Sequence, residues 1–538
     1  MLGAALLTTA CNDIDEMVPE SGSITKEQLQ ETNTAIPERA QATFSGMFSM
    51  MGKPNVAFQR TSPRADDFGF IMMAISLDLE GADMMMQDNN YNWFSVCGEY
   101  SSRNANYANP YTRYVIPYRQ IGIANEVLAS YPEDTEDSVA INRMAQARAV
   151  RAFDYMQLAP YFAFNYQHKD DLCVPILKAG VDYANNPRAT VEEVWAYIMD
   201  DLNYAVDHLD ANRTSKDQIN KAVALGLRAR ANLYMGNYAA AAADAHAAQE
   251  GFAPASMEAI SVPAFVDMAD GNWMWGINVS VEIQDIFKYA TAASWVSAFS
   301  GYAYAAGTGN VPRINVMLWN KIPATDLRKN WWIDENLHTP NWADLTWTDP
   351  KTGASATGDA IATFEYDDKM AFEPYSNVKF GMKSGVGAVV NNNDWPLMRV
   401  EEMILIEAEG LAKSGQEAQA KSVLEAFVKT YRDPSYDING RGLSLADEIW
   451  FQRRVELWGE GFFMFDCKRL GKPVVRFHGE GTSNEPDAFA FNIAADDPWL
   501  NMRFPQDEVD NNIGLVDNQG GQIPVAGQNP SLRDGVTD

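Results

Sequence analysis

Flat rings set beside amide and carboxylate side chains are the chemistry this chain offers most densely. The segment QDNNYNWFSVCGEY, residues 87–100, places Asp88, Asn89, Asn90, Tyr91, Asn92 and Trp93 in a row. DGNWMWG (270–276) and RKNWWIDENLHTPNW (328–342) repeat the combination with Trp273, Trp275, Trp331 and Trp332. A pyranose ring presents apolar C–H faces that pack on indole or phenol rings. Its hydroxyls need partners, because a buried unpaired polar group costs about 1–3 kcal/mol. Asn90, Tyr91, Asn92, Trp93, Trp273, Trp275, Trp331 and Trp332 therefore form the candidate ligand-binding set. Trp331 and Trp332 are adjacent, so on an extended segment one ring can pack inward while the other faces out. Each tryptophan also has a plainer use in core or loop packing.

Catalytic chemistry finds less support. H-E-x-x-H, P-loop, G-x-G-x-x-G and G-x-S-x-G motifs are absent, and the five histidines stand singly. A glycosidase would need two opposed carboxylates about 5–10 Å apart. Nothing in the sequence singles out such a pair among 72 acidic residues. Cys11, Cys97, Cys173 and Cys467 include no C-x-x-C pair, which disfavours a zinc or redox site. Acidic, Asn-rich loops could take a structural calcium ion, but no EF-hand spacing occurs, so no cofactor or metal is assigned. The net charge of -30 repels phosphate backbones and argues against nucleic acid as a partner. It suits a well-solvated surface.

The N-terminus carries a different chemistry. In ALLTTACNDIDE (4–15) a short apolar run ends at Cys11 and is followed by Asp13, Asp15 and Glu16. The run is too short to span a bilayer, which takes about 20 apolar residues, but it fits the apolar part of an export signal. Thr8-Thr9-Ala10-Cys11 resembles a bacterial lipobox, which implies acylation of Cys11. Two or three acyl chains anchor stably where one would be marginal. The acids after it resemble the export tag of Bacteroidetes surface lipoproteins.

Helical scaffolding must position whatever binds. ATVEEVWAYIMDDLNYAVDHL (189–209) has Thr190 as N-cap and Glu193 three residues on, a capping box. Val191, Val194, Ile198, Leu202, Ala205 and Leu209 mark one buried stripe. The stretches 221–249 and 399–427 each read as two helices broken at glycine, Gly236 and Gly415. In both, an alanine precedes the glycine (Ala229, Ala408) and another follows it (Ala241, Ala420), so the helices can approach closely. This is a tetratricopeptide-like pattern, and 148–164 looks like a degenerate third copy. Such pairs stack on neighbours into a curved array. The fold expected is mainly α, with little β.

The organisation expected is a signal remnant at 1–10 and a lipidated flexible tether at 11–35. Helical units follow at 36–252, with more at 396–470 and an irregular tail at 471–538. Between them, 253–395 loses helical periodicity and gathers tryptophans. A long irregular insertion of this kind points to function. Met72, Met73, Met84, Met85 and Met86 read as core filling or as contact with a partner.

ELWGEGFFMFDCKRLG (456–471) resembles the C-terminal signature of the SusD/RagB family. RAFDYMQLAPYF, TVEEVWAYIMDDLNYAV and LMRVEEMILIEAEGLAKSG are similar to its other recurring blocks, in the same order. The resemblance implies a non-enzymatic outer-membrane lipoprotein, exposed on the cell surface, that captures nutrient oligosaccharides. It also implies a SusC-like TonB-dependent transporter as partner, over which the protein acts as a lid. Some relatives take peptides, so peptide cargo stays open, as does a scaffold that binds only protein. On plain physical grounds, Arg453, Arg454, Glu456, Glu460, Asp466 and Arg469 read as an ion-pair network fixing the C-terminal helices.

Overall fold

Why the predicted helices form, and where they pack, is seen in a computed structural model that describes residues 26–87, 93–178, 180–304, 311–349, 351–365 and 372–538. Cys11, Asn90, Tyr91 and Asn92 lie outside the described residues. The first helices are α1 (Lys26–Ala35), α2 (Pro37–Ser49), α3 (Gly69–Leu79) and α4 (Trp93–Glu99). The scaffold proper begins with α5 (Ala108–Ala129) and α6 (Ser138–Phe162), followed by α7 (Val191–His208), α8 (Lys221–Met235) and α9 (Tyr238–Ala248). It resumes with α10 (Val400–Lys413), α11 (Glu417–Tyr431), α12 (Leu445–Glu456) and α13 (Phe463–Leu470).

Local chemistry sets the boundaries of these helices. The Thr190 hydroxyl accepts from the Glu193 N–H, and the Glu193 carboxylate accepts from the Thr190 N–H, so the capping box of α7 is complete. All six residues of its predicted stripe are buried. Gly236 closes α8 at φ +81° and Gly415 follows α10 at φ +85°, the left-handed conformation a side chain would oppose. Ala229, Ala241, Ala408 and Ala420 are fully buried.

Each helix from α5 to α9 packs on the next, and α9 packs on α10, which also meets α11 and α12. The array is mainly α and built from helix pairs, as the spacing predicts. Sheet is confined to two-stranded pairings among the described residues. Because α9 and α10 touch, the stretch 253–395 is an excursion that leaves and returns between neighbouring helices. Its root is an antiparallel pairing of Trp273–Ile277 with Trp395–Arg399.

Buried charge then clamps the excursion to the array. Glu456, fully buried on α12, accepts from Arg432 at 2.8 Å, Arg399 at 3.1 Å and Arg328 at 3.3 Å. Burial pushes the Glu456 carboxyl up, but Arg432, Arg399 and Arg328 outweigh it and hold the group well below the usual carboxylate range. Glu460 pairs with Arg399 at 2.8 Å and Lys379 at 2.7 Å. Arg328 and Lys379 belong to the excursion, so the hub joins it to α10–α12. Arg453 and Arg469 share Asp466, each at 2.8 Å, and Arg469 also meets Glu409 at 2.6 Å. Arg454 joins Asp83 to Asp534, both at 2.6 Å, tying the N-terminal part to the irregular tail. Of the six charged residues expected to form one network, Arg453, Asp466 and Arg469 pair with one another, whereas Arg454, Glu456 and Glu460 take their partners from other parts of the chain.

Candidate functional site

Four of the tryptophans expected to face ligand lie in the interior, and this corrects the expectation for them. Trp273 and Trp275 are fully buried on the strand at the root of the excursion, where the Trp275 indole N–H donates to the Asp217 carbonyl at 2.8 Å. Trp331 is also fully buried and donates to the Ile260 carbonyl at 2.9 Å. Trp332 is 1% exposed and sets its ring against Trp458, 5.2 Å between centroids. The alternation expected for Trp331 and Trp332 fails because Leu327–Trp331 is a short 3-10 helix rather than an extended segment. The rings meet each other at 6.1 Å and fill the seam between the excursion and α12. Large apolar rings are worth most there, since each buries about 150–250 Å². Trp93 begins α4, while Asn90, Tyr91 and Asn92 fall outside the described residues. The five methionines at 72, 73, 84, 85 and 86 are all buried, which makes them core.

Tyrosines occupy the open face instead. Tyr289 and Tyr302 stack at 4.5 Å with 17° between ring planes, and Tyr302 is 37% exposed. Tyr304 meets Tyr289 edge-on at 5.7 Å and also packs on Trp295 at 4.5 Å. Phe287 closes the cluster at 5.8 Å from Tyr289. Sequence inspection for tryptophan missed these residues, although KYATAASW and the Tyr-x-Tyr of GYAYAAGTGN flag them. A phenol has an apolar body and a polar tip, so it favours a wet edge where indoles fill the interior.

Backbone pinning explains how the rings come together. The buried Asn391 amide donates to the carbonyls of Lys288 at 2.9 Å and Tyr302 at 2.8 Å. Its oxygen accepts from the Ser300 hydroxyl at 2.7 Å. Gly301 lies so close to the returning loop that a Cβ there would sit 2.2 Å from the Gly387 carbonyl oxygen, so only glycine fits. Thr291 caps the short helix Ala292–Val296, and Ser294 accepts from the Tyr304 N–H at 3.0 Å. The Trp295 indole N–H donates to the Ala65 carbonyl at 2.8 Å, and its ring stacks with Phe68 at 6.4 Å. The excursion is thus seated against the loop 53–68 between α2 and α3.

Such a face can hold a flat apolar surface against a stacked phenol pair while the exposed edge of Tyr302 stays wet. Among the described residues, no group of three or more His, Cys, Asp or Glu is arranged to hold a metal ion. Cys97, Cys173 and Cys467 are free and buried. No described helix is long and apolar enough to cross a membrane.

Comparison with known proteins places this geometry. Residues 73–233 match a SusD-like family profile described as starch-binding and associating with the outer membrane. Residues 354–520 match the profile of the SusD family, SusD/RagB. No curated protein matches the chain in sequence. Among solved structures, a SusD-like carbohydrate-binding protein from Bacteroides vulgatus aligns with TM-score 0.70 and 22% identity, over 89% of this chain and 97% of its own. A SusD superfamily protein from Bacteroides thetaiotaomicron aligns with TM-score 0.68 and 19% identity, over 90% and 99%. Surface glycan-binding protein A from Bacteroides uniformis aligns with TM-score 0.60 and 15% identity, over 90% and 99%.

Proposed function

The chain belongs to the SusD/RagB family, whose members are binding proteins of the outer membrane, and from that premise we propose that it captures oligosaccharides at the cell surface and passes them to a SusC-like TonB-dependent transporter, over which it acts as a lid. The stacked Tyr289–Tyr302 pair carries this reading. It is a half-open aromatic platform whose backbone is fixed by Asn391 and Gly301 before any ligand arrives. A sugar ring can lie on it without first ordering the loop, and ordering is a main cost of binding. The carbohydrate- and glycan-binding names of two solved relatives support the same class of cargo. In this reading Cys11 is acylated and leashes the protein to the membrane.

Oligopeptide cargo is the second reading. A peptide would be held mainly by rows of main-chain hydrogen bonds, and a stacked phenol pair favours sugar over that mode. Affinity electrophoresis through gels carrying a polysaccharide panel, with a peptide mixture as competitor, separates the two. Retardation by a polysaccharide that the peptides do not relieve, lost in Tyr302→Ala, supports sugar capture. Retardation unchanged in both Tyr302→Ala and Tyr289→Ala would remove the platform from the site.

A further inference from the structure

The loop that seats Trp295 has a second open side. There a cleft of about 450 Å³ lies between residues 58–64, the start of α5 and the tail near Pro505. That volume is within the range of about 300–1,000 Å³ common for small-molecule sites. Phe58 stacks on Tyr111 at 5.3 Å and 23°, and two guanidiniums rest on the Phe58 ring, Arg64 at 4.6 Å and Arg60 at 5.2 Å. The two arginines differ in one respect. Arg64 is neutralised by a two-pronged pair with Asp66, at 2.7 and 2.6 Å. Arg60 is exposed and forms no ion pair with any described residue, in a chain with 72 acidic residues to choose from.

The base of Arg60 is nonetheless rigid. Asn55 accepts from the Arg60 N–H at 2.9 Å and donates to its carbonyl at 2.8 Å. One turn back, the Asp67 carboxylate accepts from the N–H groups of Ala57 and Phe58, both at 2.9 Å. Tyr107, 47% exposed at the head of α5, offers an open ring, and the exposed Asn106 amide lines the same cleft. Asp507 lines it too, so a bound anion is favoured toward Arg60 and a hydroxyl edge toward Asp507.

Resting on the sugar-capture reading above, we infer that this cleft is a subsite for an acidic sugar unit, whose carboxylate or sulfate pairs with Arg60 while its ring packs on Tyr107. A planar guanidinium with five donors matches either anion, and Phe58 holds it in place as a cation–π support.

The test measures dissociation constants by titration calorimetry on the whole protein. The ligands are galacturonate, mannuronate and glucuronate oligosaccharides, their carboxyl-reduced neutral counterparts, and a sulfated galactan oligosaccharide beside its desulfated form. At least one charged ligand is expected to bind about tenfold or more tightly than its neutral counterpart, the scale of one charge-assisted hydrogen bond. Arg60→Gln should erase that ratio at unchanged melting temperature, and Tyr107→Ala should weaken both members of the pair. Preference within the uronates or within the sulfated sugar identifies the anion. A charged-to-neutral ratio of one in the wild type, or a ratio that survives Arg60→Gln, overturns the inference. If neutral oligosaccharides still bind and depend on Tyr302, the sugar-capture reading stands without it. If no saccharide of either kind binds, both fall.

Discussion

Asp154→Asn should make this protein more stable at neutral pH, and by an amount that depends on pH in a defined way. Asp154 sits in the middle of α6, fully buried, and neither carboxylate oxygen has a hydrogen-bond partner among the described residues. Burial alone pushes its pKa well above the ordinary value, with no cation near enough to oppose it. The folded carboxyl therefore stays protonated at pH values where the unfolded chain, with a carboxyl pKa of about 3.9, is ionised. Folding takes up a proton in that window. The penalty is absent below the unfolded pKa and grows by about 1.4 kcal/mol for each pH unit above it, until the folded group ionises.

Asparagine is close in shape and equally without partners at this position, but it cannot ionise. The variant should match the wild type near pH 4 and gain on it as pH rises, by at most about 1.4 kcal/mol per pH unit while the folded carboxyl holds its proton. Asp78, pushed up to about 7 by burial although Gly461 and Phe463 donate to it, titrates in the same window. It is present in both proteins and cancels in the difference. Urea unfolding followed by tryptophan fluorescence at half-unit pH steps reads the quantity directly. A difference that stays flat from pH 4 to pH 7 would refute the reasoning, because it requires a carboxyl that ionises in the fold as readily as in the unfolded chain.

Other expectations follow from the same contacts. Glu456→Gln leaves Arg328, Arg399 and Arg432 buried around a neutral amide and should cost about 3–5 kcal/mol in urea unfolding. The wild-type Glu456 contribution is present above the unfolded carboxyl pKa and lost as pH falls through the lower folded value, so the cost of Glu456→Gln should shrink toward acid pH. Gly301→Ala should weaken polysaccharide retention more than it lowers the melting temperature, since it displaces the loop carrying Tyr302; equal binding would show that the close approach is not needed. Cys11→Ala should move the protein from the detergent phase to the aqueous phase in cell fractionation, and continued partition into detergent would sink the anchor.

The scaffold was legible in the sequence because its signals are local. A capping box, an apolar stripe at helical spacing and glycines at helix ends act within a few residues, and each appears where it was read, at Thr190–Glu193, along α7 and at Gly236 and Gly415. The Arg453–Asp466–Arg469 pairing was readable for the same reason, since its members sit on two short neighbouring helices. Arg328, Lys379, Asp83 and Asp534, which partner Glu456, Glu460 and Arg454, were not readable, because nothing local says that positions far apart in the chain meet. Four of the tryptophans expected to face ligand lie in the same stretch of chain as the Tyr289–Tyr302 pair, but those four are interior. Counting tryptophans finds apolar volume, and in the excursion that volume is spent on Trp273, Trp275, Trp331 and Trp332 sealing it to the helices. What distinguishes Tyr289 and Tyr302 is placement by Asn391 and Gly301, long-range contacts that no residue-type count detects.

This division of labour bears on why the hub is ionic. A buried pair of charges adds little net stability over a well-packed apolar replacement, so the hub at Glu456 and Glu460 is a poor device for stability alone. Its geometry is exacting, however. Arg399 spans Glu456 and Glu460, and Lys379 reaches Glu460 and the Trp458 carbonyl at 2.7 Å each. Apolar surfaces tolerate sliding by a residue, whereas one lost partner here strands a buried charge. The excursion is therefore held in one register on the helices, with its indoles inward. The phenol pair, carried on the same excursion, inherits that register. A binding face carried on irregular chain gains from the arrangement, because rigidity supplied from beneath lowers the entropy lost when ligand docks. Replacing Glu456, Glu460, Arg399 and Lys379 together by apolar residues of similar volume leaves Arg328 and Arg432 buried without Glu456, so it should lower stability as well as weaken polysaccharide retention. If retention survives intact, the hub does not position the face.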